Sequence, residues 1–374
     1  MPSSATTADS MALPRWTGRF FLPGPTEVRP DVLMAQTRPM IGHRGKAMEE
    51  LMERLQPGLR AVFRTSRPVY VGTNSATGFM EAALRNGARQ RVLSLVNGAF
   101  SERFFQIAVA CGFNVTPLRV ANGEVHAPER VADALLETGA DAITVVHSET
   151  STGAMNPVAE IARVAHDAGV RVLVDSVSGM GGLAVETDAW ELEFVLTGSQ
   201  KALALPPGLA FGVASERLLE TAAGNDTRGI YFDLLEFDRY AKKHQTPSTP
   251  ALSLLYATEQ QLGHIMAEGM DARWARHEAM ARRMWAWVDE QRDRGAGVGI
   301  LAPEGARSHT VTCITMPEGM KGSDVVAAMK TRGFTIATGY GALKEDMVRI
   351  GHMGEHTVDE LDALLDALAE VVAP

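Results

Sequence analysis

The apolar positions of this chain follow two alternating periods. Short apolar runs of strand length occur at "PVYVG" (68–72), "RVLSLV" (91–96), "DAITVVHS" (141–148), "VRVLVDS" (170–176), "EFVLTG" (193–198) and "LAFGVAS" (209–215). Runs of this length and density are what strands buried on both faces require. Between them lie helical patterns such as "GFMEAALRN" and "NPVAEIARVAHDAG". After Gly45, a longer segment puts Met48, Leu51, Met52, Leu55, Leu59, Val62 and Phe63 on one helix face. Strand alternating with helix predicts an α/β fold in which a mostly parallel sheet is covered on both sides.

Past about residue 265 the pattern changes. A long charged helix, "GMDARWARHEAMARRMWAWVDEQRDRG", is followed by the shorter strands "TVTCITMP", "GFTIATG" and "MVRIGHM". Thr357 and Glu360 then stand as a capping box at the start of the last helix. The division this predicts is a large domain at 20–265 and a small α+β C-terminal domain at 266–374. Residues 1–19 are expected to form a disordered extension.

Composition narrows the function classes. The 45 acidic and 36 basic residues give a net charge of -9 without long blocks of one sign, so nucleic acid is not an expected partner. The two cysteines, Cys111 and Cys313, offer neither a disulfide framework nor a metal-ligand spacing, which fits a reducing cytoplasm. No run approaches the roughly 18 apolar residues of a membrane span, and the first residues lack the pattern of a secretion signal. A cytoplasmic enzyme or binding protein is expected.

In open parallel sheets, ligands sit beyond the carboxyl ends of the strands. "VYVGTNSATGFMEAAL" is a strand, a small-residue turn and a helix; its first amides, with the Ser75 and Thr77 hydroxyls, suit either an anion or an ordinary N-cap. "VLVDSVSG" ends a strand in Asp175, a turn aspartate or a carboxylate for a positive group on a ligand. Lys201, 26 positions later in "LTGSQKALALPPGLAFG", is either a stem reaching for water or an amine kept dry for chemistry. Its flanks give a surface lysine no polar face to join. Arg349 in "MVRIGHM" is a guanidinium in an apolar strand, fitted to grip a carboxylate or to make a structural ion pair. Together a phosphate cradle, an acidic strand end and an isolated lysine are the parts a pyridoxal phosphate enzyme needs. Burial would lower the lysine's pKa toward the free amine, and the carboxylate would keep the pyridine nitrogen protonated.

The motifs "FLPGPTEV", "IGHRG", "SATGFMEAAL", "HSETSTG", "VLVDSVSG", "LTGSQKAL", "TPSTPALSLLY" and "VRIGHMG" stand in one order along the chain. On these motifs the chain, from about Phe21 to its end, resembles the class V aminotransferases in the alanine/serine–glyoxylate branch. The resemblance implies pyridoxal phosphate-dependent fold type I: a large domain with a mostly parallel seven-stranded sheet between helices, and a small C-terminal domain. It makes Lys201 the Schiff-base lysine, Asp175 the partner of the pyridine nitrogen and Val177 a residue packed on the ring. Ser75, Ala76 and Thr77 match the phosphate-binding turn, and Gln200 reaches the same phosphate. Thr150 matches the hydroxyl on the 3′-oxygen side. Phe100 falls where the family stacks an aromatic ring, often a tryptophan. Gln245 and Thr246 fall where the family reaches the partner subunit's phosphate, although the usual tyrosine is missing there. Arg349 matches the arginine for the substrate α-carboxylate. His43 and Arg44 are a helix-entry pair or line the substrate mouth.

By this resemblance the chain is a homodimeric transaminase with shared active sites, moving an amino group from serine, alanine or glycine to glyoxylate or pyruvate. Phosphoserine transamination with 2-oxoglutarate is the alternative, with His43 and Arg44 holding the phosphate. Cysteine desulfuration needs a mobile thiol, whereas Cys111 and Cys313 lie in regular-structure patterns. A nicotinamide oxidoreductase would need a Gly-x-Gly-x-x-Gly after the first strand, and none is there. A non-catalytic binding protein would leave Lys201 without a role.

Overall fold

The computed structural model describes residues 15–226 and 228–373. Its strands, in chain order, are β1 (Tyr70–Gly72), β2 (Arg91–Val96), β3 (Asn114–Arg119), β4 (Ala142–Val146), β5 (Ser148–Glu149), β6 (Ala154–Met155) and β7 (Arg171–Asp175). They continue with β8 (Phe194–Gly198), β9 (Ala210–Ala214), β10 (Gly299–Ile300), β11 (Thr312–Thr315), β12 (Ala337–Thr338) and β13 (Met347–Ile350). The helices are α1 (Pro30–Ala35), α2 (Lys46–Phe63), α3 (Ala76–Gly87), α4 (Ala99–Ala110), α5 (Pro128–Thr138) and α6 (Val158–Asp167). They end with α7 (Glu216–Ala223), α8 (Leu234–Ala241), α9 (Leu252–Glu268), α10 (Met270–Asp293), α11 (Gly322–Thr331) and α12 (Val358–Val372).

Seven strands form the large sheet in the order β1-β9-β8-β7-β4-β2-β3. The pairs β3–β2, β2–β4, β4–β7 and β7–β8 are parallel, while β9 runs antiparallel to both β8 and β1. The mostly parallel seven-stranded sheet is therefore present. The reason for its continuous apolar runs is visible in β7. Val172 and Val174 join Leu51, Leu55, Ile161 and Leu255 on one face, whereas Leu173 joins Phe79, Leu84 and Phe104 on the other. Both faces are roofed by helices, so the three central residues, Val172 to Val174, must be apolar. The same two-residue period sends Asp175 to the face of α3 and α4.

A second sheet, β10-β11-β13-β12, is antiparallel and packs with Met284, Trp287, Leu361, Leu365 and Phe21 in a separate core. The capping box of α12 is complete: the Thr357 side chain accepts from the Glu360 amide, and the Glu360 carboxylate accepts from Thr357. Periodicity gave no sign of β3, whose "NVTPLR" contains Pro117 and is largely exposed. As an edge strand paired only with β2, it needs neither an apolar run nor every backbone donor. The run at 141–148 divides at His147 into β4 and the short hairpin β5–β6.

The first 14 residues of the expected extension lie outside the described residues. Near its end, the Trp16 indole donates to Glu360 Oε1 at 2.6 Å. The following segment crosses the molecule: Phe21 pairs with Thr335 and Gly351, and Thr26 donates to the carbonyls of Gln200 and Lys201, each at 3.0 Å. An N-terminal strap thus ties the small sheet to the loop that carries Lys201.

Candidate active site

A cavity of about 320 Å³ opens at the carboxyl ends of the parallel strands, and Lys201 and Asp175 both line it. One end is the start of α3. Ser75 is its N-cap but makes no side-chain capping bond, and among the described residues no protein group accepts from the Ala76 or Thr77 amides. Ser75, Ala76, Thr77 and Gln200 line that end together. Gly198 keeps it open, because a Cβ there would stand 2.9 Å from Gln200 Oε1. Free amides at a helix start are an anion site.

Lys201 lines the same cavity and is only 7% exposed. Its Nζ donates to the Pro23 carbonyl and lies 5.7 Å from the centre of the Phe100 ring. Gly24 has φ of +100°, and a Cβ there would come within 2.5–2.6 Å of Lys201 Cδ, Cε and Nζ, so only glycine lets the strap pass over the amine. Among the described residues no carboxylate lies within ion-pair distance of Nζ. Burial lowers the lysine pKa to about 8, helped by the Arg349 charge and opposed by Asp175 and Glu149. Near neutral pH an accessible share of this amine is unprotonated.

Asp175 lies at the other end, almost fully buried, with Oδ1 accepting from the Val177 amide at 2.7 Å. Burial raises its pKa to about 7; the Val177 amide opposes that rise and Glu149 adds to it. Such a carboxylate is completed by a positive group from a ligand. Val177 and Phe100 line the walls, and the Thr150 hydroxyl meets that of Ser178 there.

Arg349 stands beside the cavity on β13. Its Nε donates to the Thr338 carbonyl at 2.9 Å and its Nη1 to the Thr150 carbonyl at 3.4 Å. Among the described residues no carboxylate pairs with it, so the structural ion pair is absent. The Tyr340 ring lies 5.4 Å from its guanidinium carbon and 5.6 Å from the Phe100 ring. Arg103 donates to the Tyr340 hydroxyl at 3.4 Å.

His43, Arg44, Gln245 and Thr246 do not line this cavity. Arg44 instead donates to the Thr246 carbonyl at 2.6 Å and the Pro247 carbonyl at 2.9 Å, and Gln245 donates to Glu49 at 2.8 Å. Two segments about 200 residues apart in sequence thus form one unit outside the lining of this cavity. Cys313 is fully buried in β11, with its thiol pushed up to about 12 by burial, and Cys111 ends α4 with its thiol also raised by burial. Neither is placed as a mobile nucleophile.

Several residues of the site escaped sequence reasoning. Arg103 lines the cavity and follows Phe100 by three positions, one helical turn, which is the signal that finds it. Pro23, Gly24 and Glu149 stand inside conspicuous motifs, but only the folded chain shows what they touch. Helix amides for a phosphate, an unpaired buried carboxylate and an unpaired buried amine, set around one cavity, fit pyridoxal phosphate.

The family model described as aminotransferase class V matches residues 34–364. An uncharacterised aminotransferase of Methanocaldococcus jannaschii is 39% identical over 89% of this chain and 87% of its own length. A serine–glyoxylate aminotransferase of Methylorubrum extorquens is 31% identical over 96% of this chain and 92% of its own. Among solved structures, alanine–glyoxylate aminotransferase from Nostoc sp. superposes with a TM-score of 0.89 at 27% identity, covering 97% of each chain.

Proposed function

The chain belongs to the class V aminotransferase family, whose members of this fold depend on pyridoxal phosphate, and we propose that it moves an amino group from serine, alanine or glycine to glyoxylate or pyruvate. The observation that carries this reading is Lys201: a buried amine without a carboxylate partner, between an unpaired Asp175 and the free amides of α3. The serine–glyoxylate and alanine–glyoxylate relatives support the choice of substrates.

Ser75, Ala76, Thr77 and Gln200 would hold the cofactor phosphate, Asp175 its ring nitrogen, Val177 and Phe100 its ring, and Thr150 its 3′-oxygen side. When bound, pyridoxal phosphate supplies a conjugated cationic ring that takes up the charge released at the donor's α-carbon. Arg349 orients the donor through its α-carboxylate; Nε and Nη1 are engaged by carbonyls, and among the described residues no group accepts from Nη2. Lys201 Nζ, with its pKa near 8, accepts the proton from the oriented α-carbon and carries it to the far side of the transferred nitrogen, because returning it to that carbon would only restore the donor. Asp175, once beside a cation, stays ionised at neutral pH. Phe100, Tyr340 and the strap at Pro23 wall the amine from water.

The enzyme is proposed as a cytoplasmic homodimer, divided at about residue 265, with Gln245, Thr246, His43 and Arg44 serving the partner's cavity. In support, Arg44 binds the 245–247 segment at the surface, and Met40, Ile230 and Tyr231 expose large apolar side chains. Among the described residues no helix is long and apolar enough to cross a membrane.

The test is the half-reaction. Donors are added singly to the purified enzyme, without acceptor, and the loss of the visible cofactor band is followed. Serine or alanine is expected to discharge the band fastest; phosphoserine or aspartate as the best donor would overturn the small-donor reading.

A further inference from the structure

Glu149 lies between Ser148 and Thr150 of the cavity wall and is itself buried behind it, 0% exposed, and among the described residues it has no cation within ion-pair distance. Its oxygens accept instead from the Phe100 amide at 3.2 Å, the Ser101 amide and hydroxyl at 2.9 Å each, the Ser151 amide at 3.2 Å and the Ser151 hydroxyl at 2.5 Å. Ser151 Oγ in turn accepts from the Ala99 amide at 2.9 Å. The opening amides of α4, Ala99 to Ser101, therefore all end on the turn at 149–151. The helix's own N-cap is Gly98, which has no side chain to offer. Nor is there room for one, because a Cβ at Gly98 would stand 2.5 Å from Glu149 Cγ and Cδ and from Ser151 Oγ.

An exposed serine or aspartate at the N-cap would satisfy the same amides without burying a charge, so capping alone does not account for this acid. Its place does. Phe100, whose amide it holds, faces Lys201 Nζ. Thr150, the residue between Glu149 and Ser151, gives its carbonyl to Arg349 and its hydroxyl to Ser178. One turn thus holds both the ring that faces the amine and the substrate arginine. The charged groups acting on Lys201 are Arg349 from β13, Asp175 from β7, Glu149 from β5 and Arg103 from α4. Only Asp175 and Glu149 are acids, and Asp175 is to be engaged by the cofactor.

We propose that Glu149 is a positioning residue of the reaction: its buried carboxylate clamps the start of α4, and with it the Phe100 ring, against the cavity. This rests on the function proposed above. A negative charge stabilises the ammonium form, so its loss frees the amine at lower pH.

The experiment uses the full-length protein and its Glu149→Gln and Ser151→Ala variants. In the cofactor-free protein, the rate of reductive methylation at Lys201 is followed against pH by peptide mass spectrometry. In the loaded protein, the circular dichroism of the visible cofactor band reports how the ring is held. Glu149→Gln is expected to speed Lys201 modification near neutral pH by roughly three- to tenfold, as loss of one nearby charge implies, and to weaken the dichroic band. Ser151→Ala, which keeps the charge and cuts one anchor of α4, is expected to weaken the band and leave the lysine profile in place. A folded Glu149→Gln protein with an unchanged dichroic band overturns the proposal. If that variant does not fold, Ser151→Ala decides: an unchanged dichroic band overturns the positioning role. Failure of the functional reading would show as a missing cofactor band in the unaltered protein and not as an unchanged band in the variants.

Discussion

Two buried charged regions of this molecule, which meet at the loop after β8, are built on opposite terms. Behind the loop, Arg273 is 0% exposed and pairs with Glu268 and Glu355 at 2.8 Å each. It also donates to the carbonyls of Gly181, Ala202 and Gly354. Despite burial, Glu355 is held below its ordinary range by Arg273 and Gln261. In front of the loop, Lys201, Asp175 and Arg349 are buried or partly buried and, among the described residues, have no ion pair of their own. Burial costs a charge its hydration in both regions, but only behind the loop does the chain itself supply the compensation. A fold that completes one set and leaves the other open is holding the open set for a ligand. Ala202, anchored by Arg273, is the neighbour of Lys201, so the paired set also fixes the unpaired one.

This contrast is tested first by exchanging one residue from each side. Lys201→Met is expected to cut transamination by about a thousandfold or more, as loss of a group that moves a proton implies. It should leave the denaturation midpoint of the cofactor-free protein unchanged or raised, because an uncompensated buried charge is removed. Arg273→Met leaves Glu355 with only Arg29 at 3.9 Å and the Gln261 amide, while Glu268 keeps Arg276, and is expected to cost about 3–5 kcal/mol in urea or thermal unfolding. Equal destabilisation by the two variants would break the comparison.

Next in size is Arg349→Ala. Loss of a charge-assisted grip of about 1.5–3 kcal/mol lowers kcat/KM for the amino donor by roughly ten- to over a hundredfold, with little change in stability. A large loss of stability instead would mean that Arg349 belongs with the paired set.

The smallest effects are in the pH dependence of stability without cofactor. Asp175, raised from 3.8 to about 7, binds its proton more tightly in the folded chain, so stability falls as pH rises through that window. Lys201, lowered from 10.5 to about 8, holds its proton less tightly in the folded chain, so stability rises with pH between those values. Asp175→Asn should flatten the first slope and Lys201→Met the second, as read from unfolding midpoints across pH. Slopes that persist in both variants would assign the titration to other groups.

The sheet could be read from the sequence because strands such as β7 are covered on both sides and announce it with an unbroken apolar centre, Val172 to Val174. β3 could not, since an exposed edge strand containing Pro117 has no such signature. In the site, Lys201 and Asp175 stood out as polar residues at the ends of apolar runs, and both line one cavity. Glu149 sat in plain view within "HSETSTG", yet its meaning depends on α4, some 50 residues earlier in the chain. Local pattern carries no record of such a pairing. Arg44 and Gln245 show the same limit: their contact joins segments two hundred residues apart, and no periodicity links them.

The central claim is that Lys201 is held unpaired for pyridoxal phosphate. Its most direct test is to load the protein with the cofactor, reduce it with borohydride, digest it and locate the modified peptide by mass. The account predicts a single phosphopyridoxyl label on Lys201, absent when an amino donor is added before reduction. No label, or a label on another lysine, would contradict it.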